Sequence, residues 1–232
     1  MGYIIALIIC FVLYAIAVKY IACFKQTKIV NFLFCATVFA LYFSLSATVY
    51  SDVGFNDWNF KNTLPVANVS PFMFSIMPLV IIAPKKIRGY LFALISLLSF
   101  GMLVSPALGC IYNASINYKF HFHFLLDYVA HFLLSLFGIY LVRTKQVILT
   151  KRTALIGGSI IVSVAFVMLV LNLIFDTSFF GLSLRGKHNI YNSVLVENSY
   201  LSCALYFAGL IFVLIMGFVM CNLLSKKGEE SQ

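Results

Sequence analysis

The stretch HFHFLLDYVAHF, residues 121–132, sets three imidazoles and a carboxylate inside an otherwise apolar, aromatic run. His123, Asp127 and His131 are spaced i, i+4, i+8, which on a helix gives one nearly axial row with a turn between members. His121 lies at the outer end and points elsewhere. A carboxylate one turn from an imidazole can orient it and stabilise its charged form, which is how a general base is prepared. The plainer reading of the row is a polar tie between helices. Ionisable groups at membrane depth normally face a bundle interior or a wet cavity and mark a functional site, which favours the chemical reading.

The elements that must hold this row are membrane helices. Hydrophobic residues make up 62% of the 232 positions and charged ones 10%, with 24 Phe; a soluble domain carries roughly 25% charged residues. Runs of about 20 apolar residues, the length that crosses the hydrocarbon, fall at Tyr3–Phe24, Val30–Val49, Pro65–Ala83, Gly89–Cys110, Phe122–Val142, Ala154–Phe175 and Tyr200–Leu224. Helix is the expected form, because isolated strands cannot satisfy their backbone in lipid. The expected fold is an all-α polytopic bundle of about seven spans forming one transmembrane domain, with a short tail at 225–232. The first run lacks a basic n-region and an A-x-A-like cleavage site, so it is expected to stay attached as a helix. Ala6 also rules out a myristoylation signal at Gly2. There is no internal repeat of the kind that marks inverted-repeat transporters.

Charge predicts the orientation. Taking the connections alternately, one set holds Lys25, Lys28, Lys85, Lys86, Arg88, Arg143, Lys145, Lys151 and Arg152, joined by Lys226 and Lys227 in the tail. The other set holds only Lys61, Lys119, Arg185 and Lys187. Cytoplasmic loops carry the Lys/Arg excess, so the N-terminus is expected outside, the C-terminus cytoplasmic, and the chain in the cell membrane. The net charge of +9 is scattered through short loops, which argues against nucleic-acid binding. The longer outer connections, Tyr50–Leu64 and Asp176–Ser199, mix aromatics with polar residues as headgroup-level segments do.

In this orientation the 123–131 row enters from outside and reaches roughly 13–15 Å inward at 1.5 Å per residue. Polar groups of other spans fall in the same outer half: Asn68, Ser70 and Ser75 in LPVANVSPFMFSIMP, Ser105 beside Pro106, and Asn172 with Asp176. Pro71 and Pro78 are expected to kink the third span and free backbone carbonyls. Together these predict an outward-open pocket whose ligand-facing groups are His123, Asn68, Ser105 and Asn172. Sequons occur at Asn68, in the membrane-embedded start of the third span, and at Asn113. The six cysteines, Cys10, Cys23, Cys35, Cys110, Cys203 and Cys221, have no metal-ligand spacing and read as small buried hydrophobes. Cys110 and Cys203 lie nearer span ends, where a thiol could be reactive. Nothing in the pattern calls for a metal or cofactor.

Four stretches in order, LPVANVSPFMFSIMPL, the basic turn leading to SPALG, FHFLLDYVAHFLLSLFGIYLV and FDTSFFGLSLRGKHNIYNSVLVENSYL, resemble the YwaF-like family of integral membrane proteins, related to an animal transmembrane phospholipid acyltransferase. The likeness covers most of residues 64–215. It implies acyl transfer on membrane lipid, with His131 at the position of the family histidine. The family's LPLHLC-type start aligns with LPVANV, so Ala67 stands at its histidine and Val69 at its cysteine. A thioester route needs that thiol, and Val69 cannot supply it. Ser70 is the adjacent alternative nucleophile; Cys110 is a second. The resulting expectation is an acyltransferase or hydrolase acting on lipid, with His131 as base, Asp127 as its orienter and Ser70 as nucleophile. The alternative is a small-molecule or proton-coupled carrier relaying protons along His123, Asp127 and His131. A receptor role rests on span count alone and ranks last.

Overall fold

The computed structural model describes residues 2–21, 28–53, 69–115, 122–175, 177, 179–182, 184 and 199–227. They form eight α-helices and, among the described residues, no strand. These are α1 (Gly2–Tyr20), α2 (Lys28–Val53), α3 (Val69–Ser75), α4 (Met77–Ile82), α5 (Lys85–Ser115), α6 (Phe122–Arg143), α7 (Lys151–Phe175) and α8 (Ser199–Lys227), with a 3-10 turn at Phe179–Gly181 after α7. Five of them, α2, α5, α6, α7 and α8, are long and apolar enough to cross a membrane. The apolar stretch of α1, Ile4–Tyr20, is shorter.

The third predicted span is broken rather than continuous. Pro71 lies in α3, close to the first described residue of that helix. Pro78 lies in the first turn of α4 and cannot donate to the carbonyl of Phe74, so the chain re-forms its turn at Ile76. There Ile76 N–H reaches Phe72 O at 3.2 Å, Leu79 N–H reaches Ile76 O at 2.9 Å, and Ser75 Oγ donates to Phe72 O at 2.8 Å. Of the two prolines expected to kink the span, Pro78 does so. Pro106, by contrast, is carried inside the continuous helix α5.

Helix α6 is the axis of the bundle, packed by α1, α2, α5 and α8. Its side chains Ala130, Leu134, Phe137, Tyr140 and Leu141 are fully buried. Close helix approach depends on two glycines, as is usual where lipid offers no hydrophobic drive between helices. A Cβ on Gly138 would run into Ser99 and the carbonyl of Ile95. One on Gly217 would strike the carbonyl of Leu97, which is backbone and cannot yield. Ser96 Oγ donates to Gly138 O at 3.1 Å and Cys221 Sγ donates to Ser96 O at 3.3 Å, which stitches α6, α5 and α8 together.

Pairings along the helices set their directions. Tyr14 meets Ser135, and Arg143 donates to Val18 O at 2.6 Å, so α1 runs parallel to α6. Asn31 meets Gln146 while Phe34 stacks on Phe137, so α2 is antiparallel to it. These directions bring every described Lys and Arg to one end of the bundle, and Asp127 lies toward the other. Large apolar side chains lie exposed along the outer faces of α1, α7 and α8, among them Ile8, Leu13, Phe166, Ile174, Phe212 and Leu223. Such a surface is an aggregation hazard in water and suits a helix bundle immersed in lipid.

Candidate functional site

The row on α6 meets α3. His131 is 4% exposed, and its Nδ1 lies 2.8 Å from the backbone carbonyl of Asp127, one turn earlier. A carbonyl can only accept, so Nδ1 carries the hydrogen. The Asp127 carboxylate stands 3.2 Å from the same nitrogen and is one-third exposed. In the neutral ring Nε2 is then the acceptor, and Ser70 Oγ, at 2.8 Å, donates to it. Hydroxyl, imidazole and carboxylate thus form a chain of hydrogen bonds with its direction set by the Asp127 backbone.

Two turns of α3 build the other half. Ser70 and Phe74 are spaced i, i+4 and both face His131: Phe74 presents its ring edge-on to the imidazole, at 5.1 Å between centroids and 88° between planes. Phe74 is itself buried and packs against Tyr42 of α2. His131 is therefore sealed, while Ser70 and Asp127 on either side of it remain partly exposed. A hydroxyl hydrogen-bonded to a buried neutral imidazole can pass its proton inward as the oxygen attacks an electrophile from the exposed side.

The row continues one turn further. Ser135, i+4 from His131, accepts from Tyr14 Oη at 2.8 Å and donates to Ser99 O at 2.8 Å. Its spacing was the available signal, and its partners on α1 and α5 were not visible in it.

The predicted ligand-facing residues separate. Asn172 is buried, and its amide is fully engaged. Nδ2 donates to Phe179 O at 2.8 Å and Leu182 O at 2.6 Å, while Oδ1 accepts from Thr177 Oγ1 and Phe179 N–H, both at 2.7 Å. With both donors and both lone pairs used, it holds the 177–182 segment and has nothing left for a ligand. That segment carries Phe180 at φ 59°, fully buried, with its ring 5.7 Å from Phe72 of α3. Asn172 thus supports the helix that bears Ser70. Ser105 is exposed on the surface of α5 and is not part of the His131 cluster. Asn68, His121 and Asp176 lie outside the described residues, as do residues 54–64 and 185–198 of the long outer connections, and so do the side chains of His123 and Asn113.

Among the described residues no group of three His, Cys, Asp or Glu is placed to hold a metal ion. All five described cysteines are buried, including Cys110 and Cys203. Cys110 packs with Cys10, Tyr128 and Phe132 in an apolar cluster, whereas the acceptor nitrogen of His131 is taken by Ser70. Cys23 lies outside the described residues. No family model, curated protein or solved structure matches the chain.

Proposed function

We propose that this chain is a multi-pass membrane enzyme of YwaF-like type that transfers or hydrolyses acyl groups of membrane lipid through Ser70, with His131 as general base and Asp127 as its orienter. The single observation that carries the reading is the 2.8 Å hydrogen bond from the hydroxyl of Ser70, a partly exposed residue, to Nε2 of the buried His131, whose other nitrogen is tied to Asp127. Seven spans complete the topology when α1 and the α3–α4 pair are counted with the five long helices. The end rich in Lys and Arg then faces the cytoplasm, and Ser70 opens toward the outer leaflet of the cell membrane.

In the first step Ser70 Oγ bonds to the acyl carbonyl carbon while its proton passes to His131 Nε2. The lyso-lipid oxygen leaves with that proton, and the acyl group remains on Ser70 as an ester. Water, or the hydroxyl of an acceptor lipid, then attacks this ester while giving its proton to His131; the Ser70 Oγ–acyl bond breaks, fatty acid or acylated lipid departs, and His131 returns the proton to Oγ. The serine ester replaces the thioester that Val69 cannot form. A direct test is release of lyso-lipid and fatty acid, or acyl exchange between two labelled phospholipids, by purified protein in liposomes. Turnover that disappears in Ser70→Ala and in His131→Gln at matched protein supports the proposal. Turnover unchanged in Ser70→Ala refutes it.

A further inference from the structure

Two adjoining cavities open at the basic end, far from Ser70. One, about 640 Å³, is walled by Lys28, Lys85 and Arg88 with the Asn31 and Gln146 amides. The other, about 470 Å³, shares Lys28, Asn31, Arg88 and Phe92 with it and continues over apolar groups: Ile29, Phe32, Cys35, Val80 and Ile81. They form one groove between α2 and the α4–α5 junction, cationic at the mouth and greasy along its length.

The cations are held there by the fold. Arg88 is anchored by donating Nε and Nη2 to the carbonyl of Ala83, at 3.2 and 2.7 Å, where α4 ends ahead of Pro84. Asn31 and Gln146 exchange hydrogen bonds: Asn31 Nδ2 donates to Gln146 Oε1 at 2.6 Å, and Gln146 Nε2 donates to Asn31 Oδ1 at 3.2 Å and Thr144 Oγ1 at 3.0 Å. This pair makes a fixed floor from the helix start of α2 and the turn after α6. Lys28 and Lys85 are exposed at the rim. Among the described residues no carboxylate walls either cavity. Asp127, the described acidic side chain, is toward the opposite end.

We infer that this groove binds an anionic phospholipid, its phosphate held by Lys28, Lys85 and Arg88 and one acyl chain laid along Phe32, Val80 and Ile81. Charge complementarity selects the headgroup, and the apolar continuation selects a lipid over a free anion. The site is separate from the proposed acyl-transfer centre and does not depend on it.

The test uses the purified full chain in nanodiscs with phosphatidylglycerol and phosphatidylcholine in competition, the retained lipid being measured by native mass spectrometry. The wild type is expected to retain phosphatidylglycerol preferentially. Lys28→Gln with Lys85→Gln should weaken that retention about 30-fold, from the loss of two surface cations; Arg88, which caps α4, is left in place. The charge-matched pair Lys86→Gln with Arg152→Gln, exposed at the same end but outside the groove, should change it less than about threefold. Equal loss in both pairs, or no preference in the wild type, overturns the assignment. Displacement of the lipid by millimolar inorganic phosphate would also overturn it, in favour of a free-anion site.

Discussion

Asn172 and His131 are both buried to 4% exposure and both hold a polar side chain among apolar helices, yet they are built differently. Every hydrogen-bonding position of Asn172 is consumed, three of its four bonds going to backbone within ten residues. His131 is bonded on both nitrogens too, but one of its partners is the hydroxyl of Ser70 on α3, far away in sequence, a residue that is itself partly exposed. A saturated group bonded to local backbone stabilises a conformation. A base whose partner is an accessible hydroxyl can also move a proton.

The largest effect expected from this contrast is on activity. Ser70→Ala should lower turnover by roughly 10³-fold or more, about 4 kcal/mol of transition-state stabilisation, while the protein still folds, because the hydroxyl makes one bond to a ring that keeps its other partner. Steady-state lipid turnover together with thermal unfolding in detergent would check both halves. Asn172→Ala should do the reverse. It strands the Leu182 carbonyl, the Phe179 N–H and the Thr177 hydroxyl, while Phe179 O keeps the Leu182 N–H, and should cost about 2–4 kcal/mol of stability, read as earlier unfolding, with Ser70 still reactive below the transition. If Asn172→Ala instead abolished turnover at full stability, the contrast would fail.

Asp127→Asn sharpens the comparison on the His131 side. The backbone carbonyl of residue 127 already fixes the imidazole tautomer at 2.8 Å, closer than the carboxylate at 3.2 Å. Losing the charge alone should therefore lower turnover only about 10- to 30-fold, less than the roughly 10⁴-fold known where a carboxylate alone sets the tautomer. The smallest effect is expected one turn further along. Tyr14→Phe removes the bond to Ser135, but Ser135 keeps its own donor paired with Ser99 O. A cost of about 0.5–1.5 kcal/mol in unfolding, with turnover unchanged, is the expected outcome.

The sequence made parts of this arrangement legible and hid others for physical reasons. Spacing alone put Asp127 and His131 on one helical row, since i, i+4 neighbours must meet. The alternation of basic connections matches the gathering of every described Lys and Arg at one end. The proximity of Ser70 to His131 needed a contact between helices 61 residues apart; it was suggested by the position next to Val69, and periodicity could not have shown it. Asn172 read as a pocket residue because its type and depth suited one. Its true partners are mostly backbone atoms, which carry no sequence signal. Pro78 announced the break in the third span, because a proline cannot donate to the preceding turn.

The most direct measurement of the central claim is covalent labelling of the purified protein with a lipid-tailed fluorophosphonate, followed by peptide mapping. The account predicts a phosphonyl adduct on Ser70 that is lost when His131→Gln removes the base from an otherwise folded protein. A wild type that stays unlabelled at Ser70, or labelling that persists undiminished in His131→Gln, would contradict it.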